Sequence, residues 1–101
     1  MPAQLVEQQP GVWQVSGAID FDSVVPLNDV GCEAIEQAKD GCRFDFSAIT
    51  SVNTAALALL LSWRRKALLR GTEVEFCHLP AELHAIAELS DLQSLVAASG
   101  P

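Results

Sequence analysis

Basic residues are scarce in this chain: six Lys and Arg stand against 13 Asp and Glu, for a formal net charge of −7. Nucleic acid needs a basic face to meet its phosphates, so that class of partner is excluded. The same balance argues against direct adsorption to an anionic membrane. Long apolar runs are also missing. The longest, Ala55 to Leu61, falls far short of the ~20 residues a membrane helix needs. The first ten residues have neither the basic start nor the apolar stretch of a secretory signal, which predicts a cytoplasmic protein. Cysteine is sparse and odd in number. Cys32, Cys42 and Cys77 are widely spaced among apolar neighbours, with no CxxC pair and no Cys/His cluster. Neither a zinc site nor a disulfide framework is indicated, and core-filling thiols are expected.

Chemistry-bearing patterns are equally thin. The glycines stand alone in turns or ends, so no phosphate-cradling loop exists, and there is no nucleophile elbow. His78 and His84 have no third ligand-type residue at metal spacing and no group placed to orient a general base. Asp20 and Asp22 resemble a carboxylate pair, but capping the following helix is the plainer role. No catalytic residue, metal or cofactor is expected, and no small-molecule substrate.

What the sequence does have is ordered α/β patterning. A short extended stretch at Leu5–Val6, the turn pair Pro10-Gly11 and the strand Val12–Val15 form an expected hairpin closed by Ser16-Gly17. Apolar residues at Val24, Leu27, Val30, Ala34, Ile35 and Ala38 predict an amphipathic helix over 24–39, with Pro26 in its first turn and Gly31 weakening its middle. Cys42–Phe46 alternates as a strand, and Ser47–Asn53 reads as a loop anchored by Ile49 and Val52. Thr54–Arg70 is the strongest helix, with Ala56, Leu59, Leu60, Trp63 and Ala67 on one stripe widened by Leu57, Leu61 and Leu68. Four of the six bases crowd its end, and Gly71 follows as C-cap. Glu73–Cys77 is a further strand, Pro80–Leu89 a helix, and Leu92, Leu95 and Val96 one more apolar turn. Strand–helix–strand units after one hairpin imply an α/β domain spanning 1–101, with a mixed four-stranded sheet and three to four helices.

One place stands out. Asn53 and Thr54 lead straight into an apolar helix whose first residues are small alanines. Free N–H groups at such a start attract oxygen acceptors, and a phosphate on Thr54 would sit favourably at the dipole. Asn53 or Thr54 can equally be a plain N-cap.

The stretch Phe44-Asp45-Phe46-Ser47-Ala48-Ile49-Thr50-Ser51-Val52-Asn53-Thr54-Ala55-Ala56-Leu57-Ala58-Leu59 resembles the signature of STAS domains, the fold of anti-sigma factor antagonists. Upstream, Val15 to Leu27 is similar to the Mla type, the small STAS subunit of a phospholipid-transporting ABC complex of Gram-negative bacteria. The resemblance implies a non-catalytic cytoplasmic subunit, peripheral to the inner membrane, that serves lipid asymmetry. It would bind an ABC ATPase and, through it, a permease and a lipid-binding subunit. The contact would involve Asn28, Asn53, Thr54, Ala55 and Ala58. The alternative it implies is an antagonist phosphorylated at Thr54 that binds a kinase or anti-sigma factor. Three positions depart from the pattern. Asn53 stands where Asp is usual, Ala55 where Gly is usual, and Asn28 where the Mla type carries a large aromatic residue.

Overall fold

The computed structural model describes residues 3–38 and 41–89. Its elements run β1 (Gln4–Gln9), β2 (Val12–Ile19), α1 (Val24–Gln37), β3 (Cys42–Val52), α2 (Ala55–Arg70), β4 (Val74–Cys77) and α3 (Ala81–Leu89). The sheet order is β1-β2-β3-β4. β1 pairs antiparallel with β2, as the Pro10-Gly11 turn requires, and β2–β3 and β3–β4 are parallel. The fold is therefore the expected α/β arrangement, a mixed four-stranded sheet packed by helices. The expected turn at Leu92, Leu95 and Val96 lies outside the described residues.

The core lies between the sheet and the helices. Val15 and Ile19 of β2, Phe44 and Phe46 of β3 and Phe76 of β4 are all buried. They meet Leu59, Leu60 and Trp63 of α2, Ile35 of α1 and Leu83 of α3. Trp63 stacks on Phe44, with ring centroids 4.2 Å apart and planes 22° from parallel. Its indole N–H donates to the Asn28 carbonyl at 3.4 Å, which ties α2 to α1. Burying so large a ring contributes several kcal/mol, on the order of the ~3–5 lost when a core Trp or Phe is cut to Ala.

Gly31 has a different role from the weak point its propensity suggests. A Cβ built there lands on the Trp63 indole ring. The missing side chain lets α1 approach α2 closely enough for the indole to fit. Lys66 and Glu36 add a partly exposed ion pair at 3.7 Å between the same helices, a minor contribution for a solvated pair.

Two strands run longer than their sequences suggest. β2 continues past Ser16-Gly17 to Ile19, and β3 continues through the stretch read as a loop, to Val52. The cause is parallel pairing combined with two irregularities. Gln14 pairs with Asp45 but Ser16 with Ala48, and Gly17 pairs with Ile49 but Ala18 with Ser51. β3 thus carries two extra residues, and each displaces the in–out alternation that marks a strand. At the first irregularity Asp45 Oδ1 accepts the Ser47 N–H at 2.9 Å, satisfying an amide at the bulge. At the second, Gly17 takes φ +86°, a region where a side chain would be strained.

α2 ends as expected. Gly71 is left-handed at φ 68°, and the Gly71 and Thr72 amides return to the carbonyls of the last turn. Leu68 does not widen the buried stripe, because it is 77% exposed.

Candidate functional site

Parallel pairing places Ile19 opposite Val52. Both strands then pass directly into helices, so the β2–α1 turn and the Asn53–Thr54 start of α2 lie at one edge of the sheet. In α/β sheets ligands commonly bind outside the carboxyl ends of the strands.

The β2–α1 turn is built by side chains bonding to backbone. Asp20 Oδ1 accepts the amides of Asp22 (3.0 Å) and Ser23 (2.9 Å). Ser23 Oγ accepts the Asp20 amide at 3.0 Å and lies 3.1 Å from the Ala18 carbonyl, to which it donates. The donated Ser23 amide is the main reason that the Asp20 carboxyl titrates below its ordinary range. Of the carboxylate pair, Asp20 closes the turn with its side chain, whereas Asp22 enters it through its backbone amide.

At the α2 start the two polar residues divide their roles. Asn53 Oδ1 accepts the Ala55 amide at 2.8 Å, and the Asn53 and Thr54 carbonyls accept the amides of Ala56 (3.0 Å) and Leu57 (3.1 Å). The first amides of α2 are therefore occupied internally. The expectation of free N–H groups awaiting an anion is corrected by this cap. Thr54 holds the N-cap position with helical backbone angles and makes no side-chain cap bond. Its side chain is exposed.

The remaining expected contact residues separate. Ala58, one turn on from Thr54, is exposed. Ala55 is only 4% exposed, so its methyl belongs to the core side and not to a contact surface. Its place at the helix start decides this, because the buried face of α2 begins with Ala55 and Ala56. Asn28 is half-buried: its carbonyl accepts from Trp63, and its Oδ1 lies 3.6 Å from the Cys32 thiol, a weak sulfur contact. It sits beside the middle of α2. Trp63 is nine residues, about 13 Å of helix, beyond Thr54.

Sequence reading missed two residues of the edge. Phe21 in the β2–α1 turn is 69% exposed and Val25 in the first turn of α1 is 64% exposed. An aromatic residue between two aspartates, Asp20-Phe21-Asp22, was the available signal. Large apolar side chains clustered at one edge mark an interaction surface more than scattered ones do.

The other reactive side chains do not converge here. Cys42 and Cys77 are buried and Cys32 half-buried, all as free thiols. Burial pushes the Cys42 thiol up to about 11, with Glu7 adding to the effect, so it stays protonated and unreactive. His78 takes a left-handed backbone at φ 57° after β4, and His84 is exposed on α3. Among the described residues no group of three metal-ligating side chains comes together. No helix among them is long and apolar enough to cross a membrane.

Comparison with known proteins agrees with this architecture. The family model described as the Mlab STAS domain matches residues 5–97. Among solved structures, the anti-sigma factor antagonist SpoIIAA in its unphosphorylated form superposes with a TM-score of 0.70. It has 16% identity over 92% of this chain and 84% of that one. The Bacillus cell fate determinant SpoIIAA in its phosphorylated form gives a TM-score of 0.67 at 16% identity, over 92% and 86%. At that identity the likeness is one of fold. No curated protein matches.

Proposed function

The chain belongs to the STAS family of the Mlab type, and from that premise we propose that it is a non-catalytic subunit that docks on the ATPase of an ABC transporter. STAS domains generally bind or regulate other proteins and do not catalyse reactions. In this reading residues 1–101 act as one such domain on the cytoplasmic face of the inner membrane. The ATPase links it to a permease and a lipid-binding subunit, in a complex that moves phospholipid and maintains outer-membrane lipid asymmetry. Selective binding to the assembled ATPase stabilises it by mass action and favours its active state.

The observation that carries the reading is the division of labour at Asn53–Thr54. Asn53 caps the helix, and Thr54 is left exposed with no side-chain cap bond, on the edge that also exposes Phe21 and Val25. Thr54, Ala58, Phe21 and Val25 form the contact, with Asn28 at its margin. Ala55 is buried and stays outside the contact.

Affinity purification from the native host is the test. It is expected to recover an ABC ATPase together with a permease. Thr54→Arg places a long cation at the centre of the contact, so ATPase recovery is expected to fall sharply while the circular-dichroism spectrum and melting temperature stay unchanged. Undiminished recovery with Thr54→Arg would sink the contact.

The same exposed hydroxyl favours a second reading, a phosphorylation-controlled antagonist of a kinase or anti-sigma factor. A phosphate on Thr54 would add about two negative charges to the centre of the surface. This reading requires that a cognate kinase modifies Thr54. It loses if Thr54 is never found phosphorylated in cells where Thr54→Ala abolishes partner binding.

A further inference from the structure

The solvent-facing side of α2 does not end at Ala58. Residues three and four apart share a helix face, and Thr54, Ala58, Ser62, Arg65 and Leu69 follow that spacing. Thr54, Ala58, Arg65 and Leu69 are exposed and Ser62 is half-buried. They form one ridge of 15 residue steps, about 22 Å long. Its near end is small and uncharged. Its far end is apolar and basic: Leu69 is 84% exposed with Leu68 beside it at 77%, flanked by exposed Arg65 and Arg70.

Most of the chain's bases lie here, but they are not equivalent. Arg64 turns toward β4, its guanidinium 5.5 Å from the centre of the Phe76 ring. Lys66 turns toward α1 and pairs with Glu36. Arg65 and Arg70 form no ion pair among the described residues. A protein of net charge −7 thus presents, among the described residues, two arginines without an ion pair near two solvent-exposed leucines: Arg65 and Leu69 lie in line with Thr54, and Arg70 and Leu68 stand beside that line at the helix end.

We propose that the docking surface runs the full length of this ridge, and that the partner meets its far end with an acidic rim around an apolar slot that receives Leu69. The inference rests on the ATPase-docking reading and specifies the chemistry of the ATPase surface. Complementary charge fixes register along the ridge and speeds association. The buried leucine supplies apolar contact. The overall negative charge disfavours an anionic membrane as the occupant, since the chain carries 13 acids against six bases.

The test uses the full chain purified from the native host, with the co-purifying ATPase quantified. The double variant Arg65→Glu/Arg70→Glu and the single variant Leu69→Glu are each expected to lower ATPase recovery by at least about tenfold, with unchanged melting temperatures. Arg65→Lys/Arg70→Lys is expected to retain it. Raising NaCl from ~0.05 to ~0.5 M is expected to weaken recovery of the wild type more than that of the Glu double variant. If Thr54→Arg loses the ATPase while Arg65→Glu/Arg70→Glu and Leu69→Glu keep it, the far-end proposal is overturned and the docking reading stands. If the wild type recovers no ATPase, both fall. Two further results reassign the ridge and overturn the proposal. One is co-sedimentation with phosphatidylglycerol vesicles that Leu69→Glu abolishes. The other is a concentration-dependent dimer, seen by analytical ultracentrifugation, that Leu69→Glu abolishes.

Discussion

Replacing Gly31 by Ala sets two effects of opposite sign against each other. In an open helix the change stabilises by about 0.8–1 kcal/mol, because Gly is a poor helix former. Here the new methyl overlaps the Trp63 indole ring. That ring cannot simply step aside: it is fully buried, stacked on Phe44 and hydrogen-bonded to the Asn28 carbonyl. Overpacking of this kind costs about 1–3 kcal/mol. Pulling the indole N–H from its acceptor leaves that buried donor unpaired and adds about 1–3 kcal/mol. The clash wins, for a net loss of about 1–5 kcal/mol with a mid-range value near 3. For a domain of this size a loss of ~3 kcal/mol lowers Tm by roughly 12–24 °C. Thermal melting followed by circular dichroism measures it. The control is the cycle with Trp63→Phe, which removes the ring atoms the methyl meets. In that background Gly31→Ala is expected to cost at least ~1 kcal/mol less than in the wild type. A Gly31→Ala protein that melts at or above the wild-type temperature would refute the close α1–α2 approach, because only helix propensity would then be acting.

Two other outcomes separate structure from recognition. Asn53→Ala removes the acceptor of the Ala55 amide and is expected to cost about 1 kcal/mol of stability, whereas Thr54→Ala, whose hydroxyl makes no cap bond, is expected to cost less than about 0.5. Urea denaturation of both variants checks the order, and the reverse order would contradict the assigned cap. Asp20 governs an acid-side effect. Its folded carboxyl titrates below the unfolded value, so its contribution is fully present above about pH 4 and is lost as pH falls through the lowered value. Asp20→Asn retains the accepting oxygen and loses the titration. Its melting temperature is therefore expected to fall less steeply than that of the wild type between pH 5 and 2, and parallel curves would remove Asp20 from the account.

The sequence by itself determined the order of elements and pointed to the Asn53–Thr54 helix start as the candidate site. Periodicity marked α1 and α2 because a helix with one buried face must repeat its apolar residues at that spacing. The alternation of Cys42–Phe46, the Pro10-Gly11 turn and the Gly71 cap are local devices, complete within a few residues, and each was legible. The stretch from Phe44 to Leu59 carried the family resemblance, and Asn53–Thr54 stood out within it. Tertiary structure decided the rest, because the deciding partners are distant in the chain. β3 continues to Val52 only because β2 lies alongside it, and its two extra residues hide the alternation that would have shown a strand. Gly31 looks like a defect until Trp63, 32 positions later, is seen to occupy its missing side chain. Ala55 and Thr54 are neighbours with similar sequence claims to the contact. The rotation of α2 against the sheet buries one and exposes the other. The same rotation turns Leu69 outward and Trp63 inward, and no property of either residue alone chooses between them.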